Sequence, residues 1–230
     1  VGVPGVGDDQ FNEPFDVSVD TAGNLYVADH SNHRVQVFDS AYTLQLTLGI
    51  SGEPGQDFAH LDDPTAVEVD AEGRIYVADN WGGRVQVFDN QGGYLTTLGN
   101  SWGSRSGDLR QAQGLALGSD GSLYIAESLN HRVQRFVPGV YCWEQSNLNG
   151  FGDPQNWWVA ALEEFDGSLY AGVHNLSGTG TQLWKIDAGL GWTQVISDGF
   201  GVTLNGGISS LAVFQDQLFA GTENFSGTQI

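Results

Sequence analysis

The sequence predicts an all-β chain of repeated four-stranded antiparallel units, and three observations carry that expectation. An aromatic marker set between aliphatic residues recurs at Tyr26, Tyr76, Tyr124, Tyr170 and Phe219, with spacings of 50, 48, 46 and 49 residues. Apolar residues alternate around it, as in Phe15, Val17 and Val19, then Leu25 and Val27, then Val35 and Val37, which is the period of strands buried on one face. Glycine supplies 33 of the 230 residues and proline only 6, a balance that suits many tight turns and not a low-complexity chain. About four strands per period of this length is the signature of a β-propeller blade.

The elements follow in order. Inner strands fall near residues 15–19, 66–69, 114–117, 159–165 and 208–214. Each of the first three leads through a turn that tolerates positive φ, at Asp20–Gly23, Asp70–Gly73 and Asp120–Gly121, into a second strand. Those second strands run Gly23-Asn24-Leu25-Tyr26-Val27-Ala28-Asp29, Gly73-Arg74-Ile75-Tyr76-Val77-Ala78-Asp79 and Gly121-Ser122-Leu123-Tyr124-Ile125-Ala126-Glu127. Third strands begin at Arg34, Arg84 and Arg132. About five blades are expected, the last incomplete because the sequence stops at Ile230 as its third strand begins. The chain starts at Val1 and contains no Met, so it is expected to be an excerpt of a longer protein. Blade edges left open in this way favour association.

Residues 1–137 resemble NHL repeats, with three blades of that type expected over 1–139. Gly2, Gly5, Phe11, Pro14, Asp20, Gly23, Tyr26, Asp29, Asn32, Arg34 and Phe38 carry the likeness in the first copy, and Gly52, Gly55, Phe58, Pro64, Tyr76, Asp79, Arg84 and Phe88 in the second. The third copy has Gln113 where proline is expected. Residues 140–230 look like about two blades of another kind, found in large secreted microbial proteins. They repeat Gly150-Phe151-Gly152 as Gly199-Phe200-Gly201, and Leu169–Asn175 as Leu218–Asn224; Asp187–Trp192 is similar to an Asp-box turn. The whole is expected to be one propeller domain.

Composition removes several functions. Twenty-eight carboxylates face seven Arg and the single Lys185, a formal net charge of −20. That sign repels phosphate backbones and anionic lipids, so nucleic acid is excluded as a partner. No apolar run is long enough to insert in a membrane. Cys142 is alone, so neither an internal disulfide nor a cysteine metal site is expected. Scarce lysine with abundant Gly, Asn, Ser and Thr points to a secreted or cell-surface protein.

Loops between second and third strands share a face with the loops leading into each blade, and a ligand is expected there. Its candidates are His30, His33, Trp81, His131, Trp157, Trp158 and His174, with Trp102 beside them. Peptide-amidating lyases of NHL type bind metal through His from several blades, but His33 and His131 stand in non-adjacent copies with Gly83 between, so no metal or cofactor is expected. Asp29/Arg34, Asp79/Arg84 and Glu127/Arg132 recur five apart and read as partly exposed hairpin pairs, each contributing about 0.2–1 kcal/mol. Asn175 and Asn224 each begin an N-glycosylation sequon, completed by Ser177 and Ser226, which reads either as a surface glycosylation site or as a turn that uses Asn and Ser. Asp-boxes occur in sialidases, yet residues 141–230 contain no Arg to clamp a substrate carboxylate.

With no catalytic constellation, the sequence favours a non-catalytic extracellular recognition or adhesion module that presents its loop face to a protein or glycan. The alternatives are a structural unit of a filament, sheath or layer that self-associates through blade edges, and a metal-dependent lyase or hydrolase of NHL type.

Overall fold

The computed structural model describes residues 3–99, 101–138, 142–147, 149–175, 180–187 and 191–224. They fall in two compact units, Val1–Ala112 and Gln113–Ile230. Gly2 of the NHL pattern, Ser177, Ser226, the end of the last repeat and residues 188–190 of the Asp-box-like turn lie outside the described residues.

The first unit opens with a two-residue parallel pair, β1 (Val3–Pro4) and β2 (Gln10–Phe11). Two antiparallel sheets of four strands follow in simple meander order. The first comprises β3 (Pro14–Val19), β4 (Leu25–Asp29), β5 (Arg34–Phe38) and β6 (Leu44–Leu48). The second comprises β7 (Pro64–Val69), β8 (Ile75–Asp79), β9 (Arg84–Phe88) and β10 (Tyr94–Leu98). In the second unit, β11 (Ala112–Leu117), β12 (Leu123–Glu127), β13 (Arg132–Val137) and β14 (Cys142–Gln145) form one sheet, with the first residue of β11 closing the first unit. Strands β15 (Asn156–Phe165), β16 (Ser168–Asn175), β17 (Gln182–Asp187) and β18 (Thr193–Ile196) form another, and β19 (Asn205–Phe214) pairs with β20 (Gln217–Asn224) as a hairpin. The inner strands stand where the periodicity placed them. The blade number is corrected: there are four four-stranded blades, and the fifth repeat forms a two-stranded hairpin among the described residues.

Aspartates set the hairpins. Asp20 Oδ1 accepts the amide N–H groups of Ala22 and Asn24 at 2.9 and 2.8 Å, and Asp70 does the same for Glu72 and Arg74 at 3.0 and 2.8 Å. Asp39 and Asp89 repeat the device between third and fourth strands. A short carboxylate that holds its own backbone in a turn suits these positions. Part of the acidic surplus is therefore turn chemistry.

The core of the first unit lies between its blades. Tyr26, Ala28, Val35, Val37 and Leu48 of the first blade pack with Val67, Ile75, Val77 and Phe88 of the second. Each large aliphatic side chain buried in this way contributes about 1.5–3 kcal/mol. The β3 face behaves differently from its expected burial: Phe15, Val17 and Val19 remain 54%, 60% and 60% exposed. Val67 and Val69 occupy the equivalent face of β7, where the first blade covers them; within its unit, β3 has no blade on that side.

In the second unit, Ala116, Ala126, Val133, Val159, Leu162, Leu169 and Val173 form the main core with Phe151. Both Gly-Phe-Gly motifs are left-handed turns, with φ of 62°, 54° and 83° at 150–152 and 65°, 61° and 78° at 199–201. Asn156 Nδ2 donates to the Gly150 carbonyl at 3.0 Å, and Asn205 Nδ2 to that of Gly199 at 2.8 Å. Trp192 packs edge-on against Phe151, with ring centroids 5.1 Å apart. No helix among the described residues is long and apolar enough to cross a membrane.

Candidate functional site

The site begins from a buried clamp under the loop face. Arg34 Nε donates to Asp29 Oδ2 at 2.8 Å, with side chains 2% and 0% exposed. The remaining guanidinium N–H groups reach Ser51 Oγ and the carbonyls of Gly7 and Gln10. Asp29 Oδ1 accepts the amide N–H of Asn12 at 2.7 Å, so one ion pair ties the incoming loop to the β4–β5 turn. In the second blade, Arg84 pairs with Asp79 at 2.7 Å and donates to the carbonyls of Gly55, Gln56, Asp57 and His60, while Asp79 accepts the Asp62 amide N–H at 2.7 Å. Burial raises the Asp79 carboxyl above its usual range, against the pull of Arg84. Glu127 and Arg132 repeat the pair at 2.6 Å in the third blade. The expectation of partly exposed pairs is thus corrected. They are internal, and removing one partner would leave a buried charge uncompensated.

The clamps position a cluster in the first unit. His33 Nδ1 stands 3.1 Å from Asp63 Oδ1, and the Asp63 amide N–H points at the same nitrogen at 3.2 Å. His30 Nδ1 lies 3.6 Å from that carboxylate oxygen, and its ring meets Phe15 edge-on at 4.2 Å. Burial holds the His30 imidazole below its usual range, although Asp63 and Glu13 pull it upward. Glu13 accepts a hydrogen bond from Ser31 Oγ at 2.7 Å. Among the described residues, ligand-type atoms of His33, Asp62 and Asp63 all come within 4.8 Å of one another. In the sequence His33 stands out through its repeat mate His131, whereas neither Asp62 nor Asp63 recurs in the other copies. The available signal was a comparison across blade junctions: Asp62 and Asp63 stand where the next junction has Arg110 and Gln111.

Beside this cluster, Trp81 and Trp102 lie parallel, with centroids 5.7 Å apart and an interplanar angle of 3°. They are 54% and 39% exposed. The Trp81 amide N–H donates to the Asp62 carbonyl at 3.1 Å. Gly83, at φ 60°, replaces the His of the first and third copies; a Cβ there would meet Trp102 at 3.3 Å. The absent side chain makes room for the indole pair.

In the second unit, His131 packs with Trp157 at 5.6 Å and His174 with Trp158 at 5.4 Å, both indoles being exposed. His174 Nδ1 is 3.7 Å from Glu223 Oε2, and burial lowers its basicity against that carboxylate's pull. Asn175, the first of the two sequon residues, lies at the end of β16. It is buried, and its Nδ2 donates to Asn156 Oδ1 at 2.8 Å. Asn224 Nδ2 donates to Asn205 Oδ1 at 2.7 Å. Both are cross-strand ladder residues whose amide nitrogens are engaged. A groove of about 560 Å³ opens between Gln145, Asn147, Phe151, Trp184 and Trp192. No residue of the candidate set lines it.

The NHL repeat family model matches residues 11–38, 61–88 and 109–136, one stretch in each of the first three blades. Solved structures share the propeller fold at low identity. A streptogramin B lyase aligns with 12% identity over 94% of this chain and 67% of its own, with a TM-score of 0.62. A catalytically inactive virginiamycin B lyase from Staphylococcus aureus with quinupristin gives 13%, 96%, 70% and 0.65 in the same order. The extracellular domain of a proposed one component system from B. thetaiotaomicron gives 15%, 97%, 28% and 0.63. No curated protein sequence matches the chain. The likenesses show fold alone.

Proposed function

We propose that the chain is a non-catalytic extracellular recognition module whose loop face binds glycan. The observation that carries this reading is the parallel, solvent-facing Trp81–Trp102 pair. Indole faces stack on the C–H faces of sugar rings, and a parallel exposed pair offers them a flat platform. The extracellular origin of one fold neighbour supports a secreted setting. A glycan array probed with the purified chain, and with Trp81→Ala and Trp102→Ala, tests the reading. Binding to a defined glycan that both substitutions abolish supports it. Binding that neither substitution alters, or binding to protein partners alone, rejects it.

A second reading has its own observation. The exposed Phe15, Val17 and Val19 face matches the face that the second blade buries, which favours self-association of blades between chains. Light scattering on a sizing column distinguishes a 24.7 kDa monomer from ordered assemblies. The lyase alternative has fold likeness at 12–13% identity behind it, with no residue of this chain assigned to it.

A further inference from the structure

We propose that His30, His33, Asp62 and Asp63 form a site for one divalent transition-metal cation of the zinc type. This goes beyond glycan recognition and stands independently of it. Three of these residues already bring ligand atoms within 4.8 Å of one another. The fourth adds the independent observation. His30 Nδ1 is enclosed, makes no hydrogen bond, and lies 3.6 Å from the carboxylate oxygen that His33 also approaches. A buried polar nitrogen that makes no hydrogen bond calls for an explanation, and a bound ion is one.

Charge points the same way. No Arg or Lys pairs with Asp62 or Asp63 among the described residues, while Arg34 and Arg84 are committed to Asp29 and Asp79. Nor does the repeat require this set. At the next junction the equivalent positions hold Asn80, Gly83, Arg110 and Gln111, so the repeat forms its strands with none of these side chains. Two imidazoles with two carboxylates match the donor preference of zinc and its first-row neighbours. Calcium takes six to eight oxygens, and magnesium a near-octahedral oxygen shell, so both are disfavoured.

The test is calorimetric titration of ZnCl2 into the chelator-stripped chain, repeated with CaCl2 and MgCl2, beside His30→Gln, Asp63→Asn and the control His60→Gln. His60 sits with Asp57 and Glu53, another His–carboxylate group, but outside the proposed site. The expected result is one zinc per chain, weakened on the order of tenfold or more by His30→Gln and by Asp63→Asn, and unchanged in His60→Gln. Circular dichroism checks folding, and His30→Gln carries the test should Asp63→Asn not fold. Absence of stoichiometric zinc binding overturns the proposal. So does zinc binding insensitive to His30→Gln, or calcium or magnesium bound as tightly as zinc.

Discussion

Arg34→Ala is the perturbation that reads the internal clamp most clearly. Arg34 and Asp29 are enclosed, and the guanidinium also donates to Ser51 Oγ and to two loop carbonyls. Truncation leaves the Asp29 carboxylate in a low-dielectric interior with only N–H donors around it. Removing one member of a buried pair destabilises by about 3–5 kcal/mol, a large share of the roughly 5–15 kcal/mol that holds a domain together. Arg74 and Asp70 supply the internal comparison. Their separation is as short, 2.6 Å, but Arg74 is 47% exposed, and loss of such a pair costs about 0–1 kcal/mol. Urea denaturation followed by tryptophan fluorescence measures both variants. Arg34→Ala should lower the midpoint severely and Arg74→Ala hardly at all. Equal small shifts would refute the argument that burial, and not separation, sets the worth of these pairs.

Further outcomes follow from single residues. Burial pushes the Asp16 carboxyl up to about 6, even though it accepts the Val67 amide N–H at 2.9 Å. A folded-state pKa above the unfolded 3.8 means that its stabilising contribution is full below pH 3.8 and is lost as pH rises through 6. Asp16→Asn should therefore be more stable than the parent by about 2 kcal/mol at pH 7.5, allowing for partial exposure, and denaturation at pH 4 should show the difference gone. Gly83→Ala places a Cβ against Trp102 at φ 60°. It should destabilise by about 1–2 kcal/mol and change the near-UV dichroism of the indole pair. Trp81→Ala removes an exposed side chain and should shift the denaturation midpoint little.

The strand order, the inner-strand positions and the hairpin turns were legible because they depend on local alternation and on Gly and Asp at fixed offsets. Burial at β3 was not, since Val17 and Val67 carry the same pattern and differ only in whether a neighbouring blade covers them. The Asp29–Arg34 pair was visible as a repeat. Its depth was not, because the loop that encloses it is separated by 24–27 residues in sequence. Asn175 reads as a glycosylation acceptor from three residues alone, while its hydrogen bond to Asn156 depends on strand register. His30 and His33 were legible as loop residues. Their approach to Asp63 depends on the Arg84 clamp that shapes the intervening loop.

The most direct test of the recognition reading is the set of indole N–H resonances recorded while a glycan found on the array is titrated into the chain. Trp81 and Trp102 should shift together and saturably, while Trp184, whose Nε1–H donates to Gln182 Oε1 at 2.9 Å, stays in place. If no glycan moves the Trp81 and Trp102 signals, the loop face of the first unit is not a glycan-recognition surface.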